Sequence, residues 1–187
     1  MSKTRLFIDF DSTIVNSIKA FCDTYNFYYQ NIKDFKPAEW SKVEKYNFKD
    51  QCPLIYNVHD IFEDPYFFER LDFINDNTYE IIKELNDKFE IHITTIGTIS
   101  NISQKSIWIK KNLPFIKNCE FLFNDGCKMD KSIVDMKDSI FIDDVLSNLE
   151  SSNAKHKIIF GDEYEWNKSN KYIRCYNWSD VKSLLIE

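Results

Sequence analysis

The segment Ile8-Asp9-Phe10-Asp11-Ser12-Thr13 decides the fold. It closes an apolar run, Arg5–Phe10, that reads as a buried strand. Residues two apart on an extended chain project to the same side, so Asp9 and Asp11 can converge on one cleft. That cleft would lie at the C-terminal end of the strand, where open α/β sheets bind their ligands. Two neighbouring carboxylates repel when both are ionised, so such a pair calls for a metal ion or a split in protonation. A polar turn after a strand has the same composition, and the rest of the chain must decide between the two.

Outward from this segment, Glu90–Thr95, Cys119–Phe123, Ser139–Ile142 and Lys157–Phe160 are further short runs rich in Ile and Phe, bounded like strands. Between them lie stretches of helical period. Asn77–Lys88 carries Ile81, Ile82 and Leu85 on one stripe, and Ser100–Lys111 carries Ile102, Ile107 and Trp108. Val145–Asn153 and Ser179–Leu185 read as helices too. Strand and helix in alternation predict an α/β fold with a mostly parallel sheet and helices on both faces. Residues 15–75 break this rhythm: a helical stretch through Ala20, Phe21 and Tyr25 is followed by Pro37, Trp40, Tyr46, Pro53 and Pro65, with no central strand. This region is expected to be a small helical insertion over the end of the sheet.

Composition narrows the function. The 187 residues carry 43% hydrophobic and 29% charged residues, enough to bury a real core. A net charge of −6 argues against duplex nucleic acid as a partner, which requires a basic face. Lys105, Lys110, Lys111 and Lys117 are spread over one predicted helix and its exit and read as a solvated face. Five scattered cysteines without a CxxC pair argue against a disulfide framework or a structural zinc site. Without a membrane-length apolar run or a signal-like start, a cytoplasmic protein is expected.

Two further strand ends repeat the chemistry of the first. Ile91-His92-Ile93-Thr94-Thr95-Ile96-Gly97 brings hydroxyls to a glycine-containing turn, a combination suited to phosphate oxygens. Ile140-Phe141-Ile142-Asp143-Asp144 delivers two more acids, and Asp143 would complete an oxygen-rich site for a hard divalent cation. Lys131, with Lys128 as a competitor, precedes that strand and can neutralise phosphate and carboxylates. His59, His92 and His156 have no ligand spacing, and Asp162, Glu163 and Glu165 read as a solvated loop.

Taken in order, DxDxT, a strand ending in Thr, a Lys and a strand ending in Asp-Asp resemble the haloacid dehalogenase superfamily. The match runs from Ile8 to Asn148 and includes all four motifs of that superfamily. It implies a Rossmann-like core formed by residues 1–14 and 76–187, with residues 15–75 as the cap. The segment Pro65-Tyr66-Phe67-Phe68, Leu71 and the Asp143-Asp144…Asn148-Leu149 ending also look like the 5'(3')-deoxyribonucleotidase family. Ser12 stands where that pattern usually has Gly, and Ile96-Gly97 where a proline turn is usual.

The resemblance implies a phosphoric monoester hydrolase in which Asp9 is the nucleophile and Asp11 the acid–base. It further implies that Thr94, Thr95 and Lys131 hold the phosphoryl oxygens. Mg2+ would be held by Asp9, the Asp11 carbonyl and Asp143, with Asp144 binding it through water or orienting Lys131. Phe21, Trp40, Tyr46, Phe67 and Phe68 of the cap are candidates to meet a base or sugar. The expected substrate is a small phosphorylated molecule, a nucleoside monophosphate first. Another phosphorylated metabolite, a polynucleotide 3'-phosphate end, or a non-catalytic binding module on the same fold are the alternatives. A receiver domain is disfavoured, because its acids, Thr and Lys come in a different order.

Overall fold

The computed structural model describes residues 3–124 and 130–186. Among them, six strands form one parallel sheet: β1 (Arg5–Ile8), β2 (Glu90–Gly97), β3 (Asn118–Phe123), β4 (Ile140–Asp143), β5 (His156–Phe160) and β6 (Ile173–Cys175). Their order is β3-β2-β1-β4-β5-β6. The chain therefore winds outward from β1 through β2 to β3, then returns to the other side of β1 for β4. Adjacent β1 and β4 are the point where the winding reverses, and the crevice beyond their C-terminal ends is where such sheets place a ligand.

The central strands β1, β4 and β5 are buried on both faces, and their alternate residues feed two cores. Leu6, Ile8, Ile91, Ile93, Ile140, Ile142, Ile158 and Phe160 join the larger one. Helices α4 (Thr78–Lys88), α5 (Ile99–Asn112) and α7 (Trp178–Leu185) contribute Ile81, Ile82, Leu85, Trp108, Ile109, Trp178 and Val181 to the same core. Phe7, Phe141 and Ile159 face the opposite way and meet Leu149 of α6 (Leu146–Ser151). Helices on both faces are what the alternating pattern predicted. The sixth strand, three residues long, is too short to leave a periodicity, and sequence analysis did not anticipate it.

Residues 15–75 carry three helices, α1 (Ser17–Tyr29), α2 (His59–Phe62) and α3 (Pro65–Glu69), and a single 3-10 turn at Trp40–Lys42. Helix α1 starts where Asn16 accepts a hydrogen bond from the Lys19 amide at 3.0 Å, and α3 where Asp64 caps Tyr66 ahead of Pro65. The aromatic residues hold this segment together. Phe21 stacks on Phe48 with ring centroids 4.1 Å apart, and Phe62 packs edge-on against Phe67 at 5.3 Å. The segment is fastened to the core by Asn101 of α5, whose amide donates to the Phe62 carbonyl at 2.6 Å. Gly97 makes room for this: a Cβ there would lie 2.3 Å from the Asn101 side-chain oxygen.

Trp178, with no exposed surface, packs against Phe160 and donates its indole N–H to the Thr13 carbonyl at 2.9 Å. The last helix thus supports the loop that carries Asp11. Trp178→Ala is expected to lower unfolding free energy by about 3–5 kcal/mol, read by urea denaturation. A change below about 1 kcal/mol would show that the anchor is dispensable.

Candidate active site

The site sits where the β1/β4 reversal predicts. Asp9 follows β1, and its amide still donates to the Ile142 carbonyl of β4 at 2.9 Å. That bond sets Asp9 beside Asp143, the last residue of β4. Ser12 adopts φ +55°, in the left-handed region that favours glycine, which accounts for the glycine usual at that place. Ligand oxygens of Asp9, Asp143 and Asp144 all lie within 4.8 Å of one another, and all three residues are buried. Hard oxygen donors in this number suit a magnesium-like cation.

Lys131 is inserted into this cluster. It opens a 3-10 turn, Lys131–Ile133, started by Asp130, whose carboxylate caps the Ser132 amide. Its ammonium donates to Asp9 Oδ1 and, at 2.6 Å, to Asp143 Oδ2. Asp143 is held further by the Val145 amide at 2.8 Å and the Asn148 side chain at 3.1 Å. Burial works against the charge on Lys131, but Asp143 and Asp9 push its ammonium above the ordinary lysine range. Burial raises Asp9 to about 7, with Asp143 and Asp11 adding to it and Lys131 opposing. Burial, Asp9 and Asp143 likewise raise Asp144 well above the carboxylate range. Lys128, the other lysine considered, lies outside the described residues.

Lys105 is a correction to the sequence reading. It is 1% exposed, not part of a solvated face, and its ammonium donates to Asp11 Oδ2, to Thr95 Oγ1 at 2.8 Å and to the Ile96 carbonyl at 3.2 Å. The signal was available: Lys105 stands three after Ile102 and four before Ile109, on the stripe α5 buries, whereas Ile107 is exposed.

The two threonines separate. Thr95 lines the cleft, while Thr94 is buried outside the lining, with its hydroxyl unpartnered. Of the five aromatic candidates, Tyr46 lines the cleft. Phe21 and Phe67 have no exposed surface and hold the insertion together, and Phe68 packs beside Phe67. Trp40 is exposed outside the cleft lining. Tyr46 is an exposed residue at the border of the cleft. Desolvation, then Asp144, Asp11, Asp9 and Asp143, push its phenol above the ordinary tyrosine range, so it remains a proton donor.

The cleft has a volume of about 720 Å3, and its wall away from the acids includes Ile18, Phe48, Val58 and Phe62. His59 also borders it. Trp166 closes one side and was missed by sequence reasoning, since it sits in the acidic loop after β5. Its indole N–H donates to Asp144 Oδ2 at 3.2 Å, one face stacks on Tyr164 at 4.4 Å, and Tyr46 meets it edge-on at 5.9 Å. Arg174 of β6 builds the loop, donating to the Gly161 and Asn167 carbonyls at 2.9 and 2.8 Å.

Comparison with solved structures finds the same fold. A protein of Clostridium difficile described as a phosphatase superposes with a TM-score of 0.69 at 12% identity, covering 100% of both chains. A haloacid dehalogenase-like family hydrolase of Streptococcus pneumoniae gives 0.64 at 13% identity, covering 97% of this chain and 98% of that one. YfnB of Bacillus subtilis, described as a HAD-hydrolase and bound to magnesium, gives 0.56 at 12% identity over 100% of both chains. No curated protein matches the chain by sequence. The family model described as "5' nucleotidase, deoxy (Pyrimidine), cytosolic type C protein" matches residues 3–187. A chain with this fold, matched over nearly its whole length, is a phosphoric monoester hydrolase of haloacid dehalogenase type and belongs to the deoxy (pyrimidine) cytosolic type C 5'-nucleotidase family.

Proposed function

We propose that the protein is a magnesium-dependent phosphatase of nucleoside monophosphates, deoxynucleotides first, working through a phosphorylated Asp9. The observation that carries this is Lys131 bridging Asp9 and Asp143 at the β1/β4 reversal, next to Asp11 and under an aromatic-edged cleft.

Asp9 attacks phosphorus, an Asp9 oxygen–phosphorus bond forms, and the ester P–O bond breaks. Asp11 gives its proton to the departing alcohol oxygen. In the second step water attacks the same phosphorus, its proton goes to Asp11, and the bond to Asp9 breaks. Both carboxyl groups are then restored and inorganic phosphate leaves. Lys131 holds Asp9 in place and offsets negative charge as phosphate arrives. Thr95 Oγ1 accepts from Lys105, so its own O–H is free to donate to a phosphoryl oxygen. Thr94, outside the cleft lining, supports this strand end. Asp9, Asp143 and Asp144, with the Asp11 main-chain carbonyl, would hold magnesium, which when bound supplies charge compensation between phosphate and nucleophile.

Residues 15–75 act as the cap in this proposal. Tyr46, Phe48 and Phe62 from the cap and Trp166 from the core border the space left for the alcohol part of the substrate. A cleft of about 720 Å3 falls in the range of roughly 300–1,000 Å3 usual for small-molecule sites. The family's description supports both the nucleotide substrate and a cytoplasmic setting.

Phosphate release from deoxynucleoside 5'- and 3'-monophosphates, ribonucleotides, sugar phosphates and a 3'-phosphorylated oligonucleotide tests the proposal. We expect Asp9→Asn to abolish release with magnesium, and deoxynucleotides to be favoured. Preference for another substrate would retain the chemistry and refute the nucleotide assignment. Tyr46→Ala should raise KM for nucleotides about tenfold, the loss of roughly 1.4 kcal/mol of ring contact and donor, while Tyr46→Phe retains the ring contribution.

The raised Asp9 also predicts a pH dependence. Its value of about 7 in the fold against 3.8 ordinarily means the folded protein holds a proton that the unfolded chain has lost. Stability of the chelator-treated protein should therefore fall as pH rises from about 4 to about 7. Melting temperatures across this interval should decline, with raised Asp144 adding in the same sense, and Asp9→Asn should reduce the decline. An unchanged slope in the variant would show that Asp9 is not the group responsible.

A further inference from the structure

Lys105 has no place in the four motifs, yet it is one of the largest fully buried side chains in the molecule. A lysine is buried only when its ammonium is satisfied. An ammonium has three N–H donors, and here each has a partner: Asp11 Oδ2, Thr95 Oγ1 and the Ile96 carbonyl. These three acceptors come from two strand ends, the loop after β1 and the last residues of β2. Lys105 therefore ties the carboxyl of Asp11 to the threonine that lines the cleft. Asp11 Oδ2 is occupied by this bond, and Asp11 Oδ1 is buried with no hydrogen-bond partner among the described residues.

The position on α5 is fixed independently of the site. Thr98 caps the helix through the Asn101 amide at 3.3 Å, and Trp108, one turn beyond Lys105, donates its indole N–H to the Leu71 carbonyl at 3.1 Å. The ammonium thus projects from a helix anchored on both sides of it.

We propose that Lys105 is the positioning residue of Asp11: its ammonium fixes one carboxyl oxygen against the end of β2, so that the other meets the oxygen of the departing alcohol. This rests on the phosphatase mechanism proposed above. With all three hydrogens committed, Lys105 neither binds the phosphoryl group nor gives a proton to the substrate. Its contribution passes through Asp11, and is needed where the leaving oxygen must be protonated.

The discriminating experiment compares two substrates with magnesium present: deoxythymidine 5'-monophosphate, whose alkoxide needs a proton to leave, and p-nitrophenyl phosphate, whose phenolate does not. Lys105→Met should lower kcat on the nucleotide by about 10²-fold, the lower end of what acid–base help contributes, with KM little changed. On p-nitrophenyl phosphate the loss should be much smaller. In an Asp11→Asn background Lys105→Met should cost no further activity on the nucleotide. Equal losses on both substrates, additive losses in the double variant, or a raised KM with unchanged kcat would overturn the assignment, the last pointing to a phosphate ligand. Removing one partner of a buried pair destabilises a fold, so Lys105→Gln, which retains N–H donors, is read by the same criteria if the methionine variant does not fold. The Asp9→Asn control separates the two levels. Turnover that survives it refutes the phosphatase mechanism itself, whereas an intact Asp9 requirement with equal Lys105 losses refutes only the positioning role. Wild-type protein that releases phosphate from neither substrate overturns both.

Discussion

Four carboxyl groups gathered at the ends of two adjacent strands are the constraint on which this structure depends. Asp9, Asp11, Asp143 and Asp144 repel one another, and three of them are buried, where charge is costly. The fold answers with two buried ammonium groups, Lys131 between Asp9 and Asp143 and Lys105 on Asp11. Neither lysine comes from a strand. One is supplied by a 3-10 turn ahead of β4 and the other by the middle of α5, so turn and helix must both be seated before the acids can be tolerated. Burial first, and the neighbouring carboxylates after it, raise Asp9 and Asp144 in spite of Lys131.

The rest of the site is arranged around that cluster. The reversal between β1 and β4 opens the crevice, and Ile18, Tyr46, Phe48, Val58 and Phe62 from residues 15–75 border it. Asn101 of α5 ties Phe62 to the sheet side through the Phe62 carbonyl, in space that Gly97 leaves open. The loop between β5 and β6 adds a wall of its own. Arg174 knits its carbonyls together, and the product is a tryptophan whose indole touches both Asp144 and Tyr46.

The parallel sheet was legible because each strand is a compact apolar run ending in polar chemistry, and because helices of plain period separate the runs. Asp9, Asp11, Thr95, Lys131 and Asp143 were legible as residues of the expected kinds at strand ends or just ahead of a strand. What escaped has physical reasons. Ile173–Cys175 is an edge strand too short to show alternation. Lys105 lies on an apolar stripe, and composition alone counts it among surface lysines, while its position on the helix says otherwise. Phe21 and Phe67 looked like ligand contacts because aromatic residues serve packing and recognition equally well; only burial distinguishes the uses. Trp166 stands among acids in an irregular loop, where no period reveals which way a side chain faces.

The hydrogen bond from Trp178 to the Thr13 carbonyl spans 165 positions, and the Asp9–Lys131 pair spans 122. A ribosome delivering this chain releases Asp9 well before Lys131, and Thr13 well before Trp178. Until β4 emerges, β1 has no partner on one side and Asp9 lacks its neighbour Asp143. Contacts this distant in sequence also make folding slow relative to helical proteins of similar size. The growing chain therefore exposes one edge of β1 until β4 has emerged, and the acid cluster is assembled only after that.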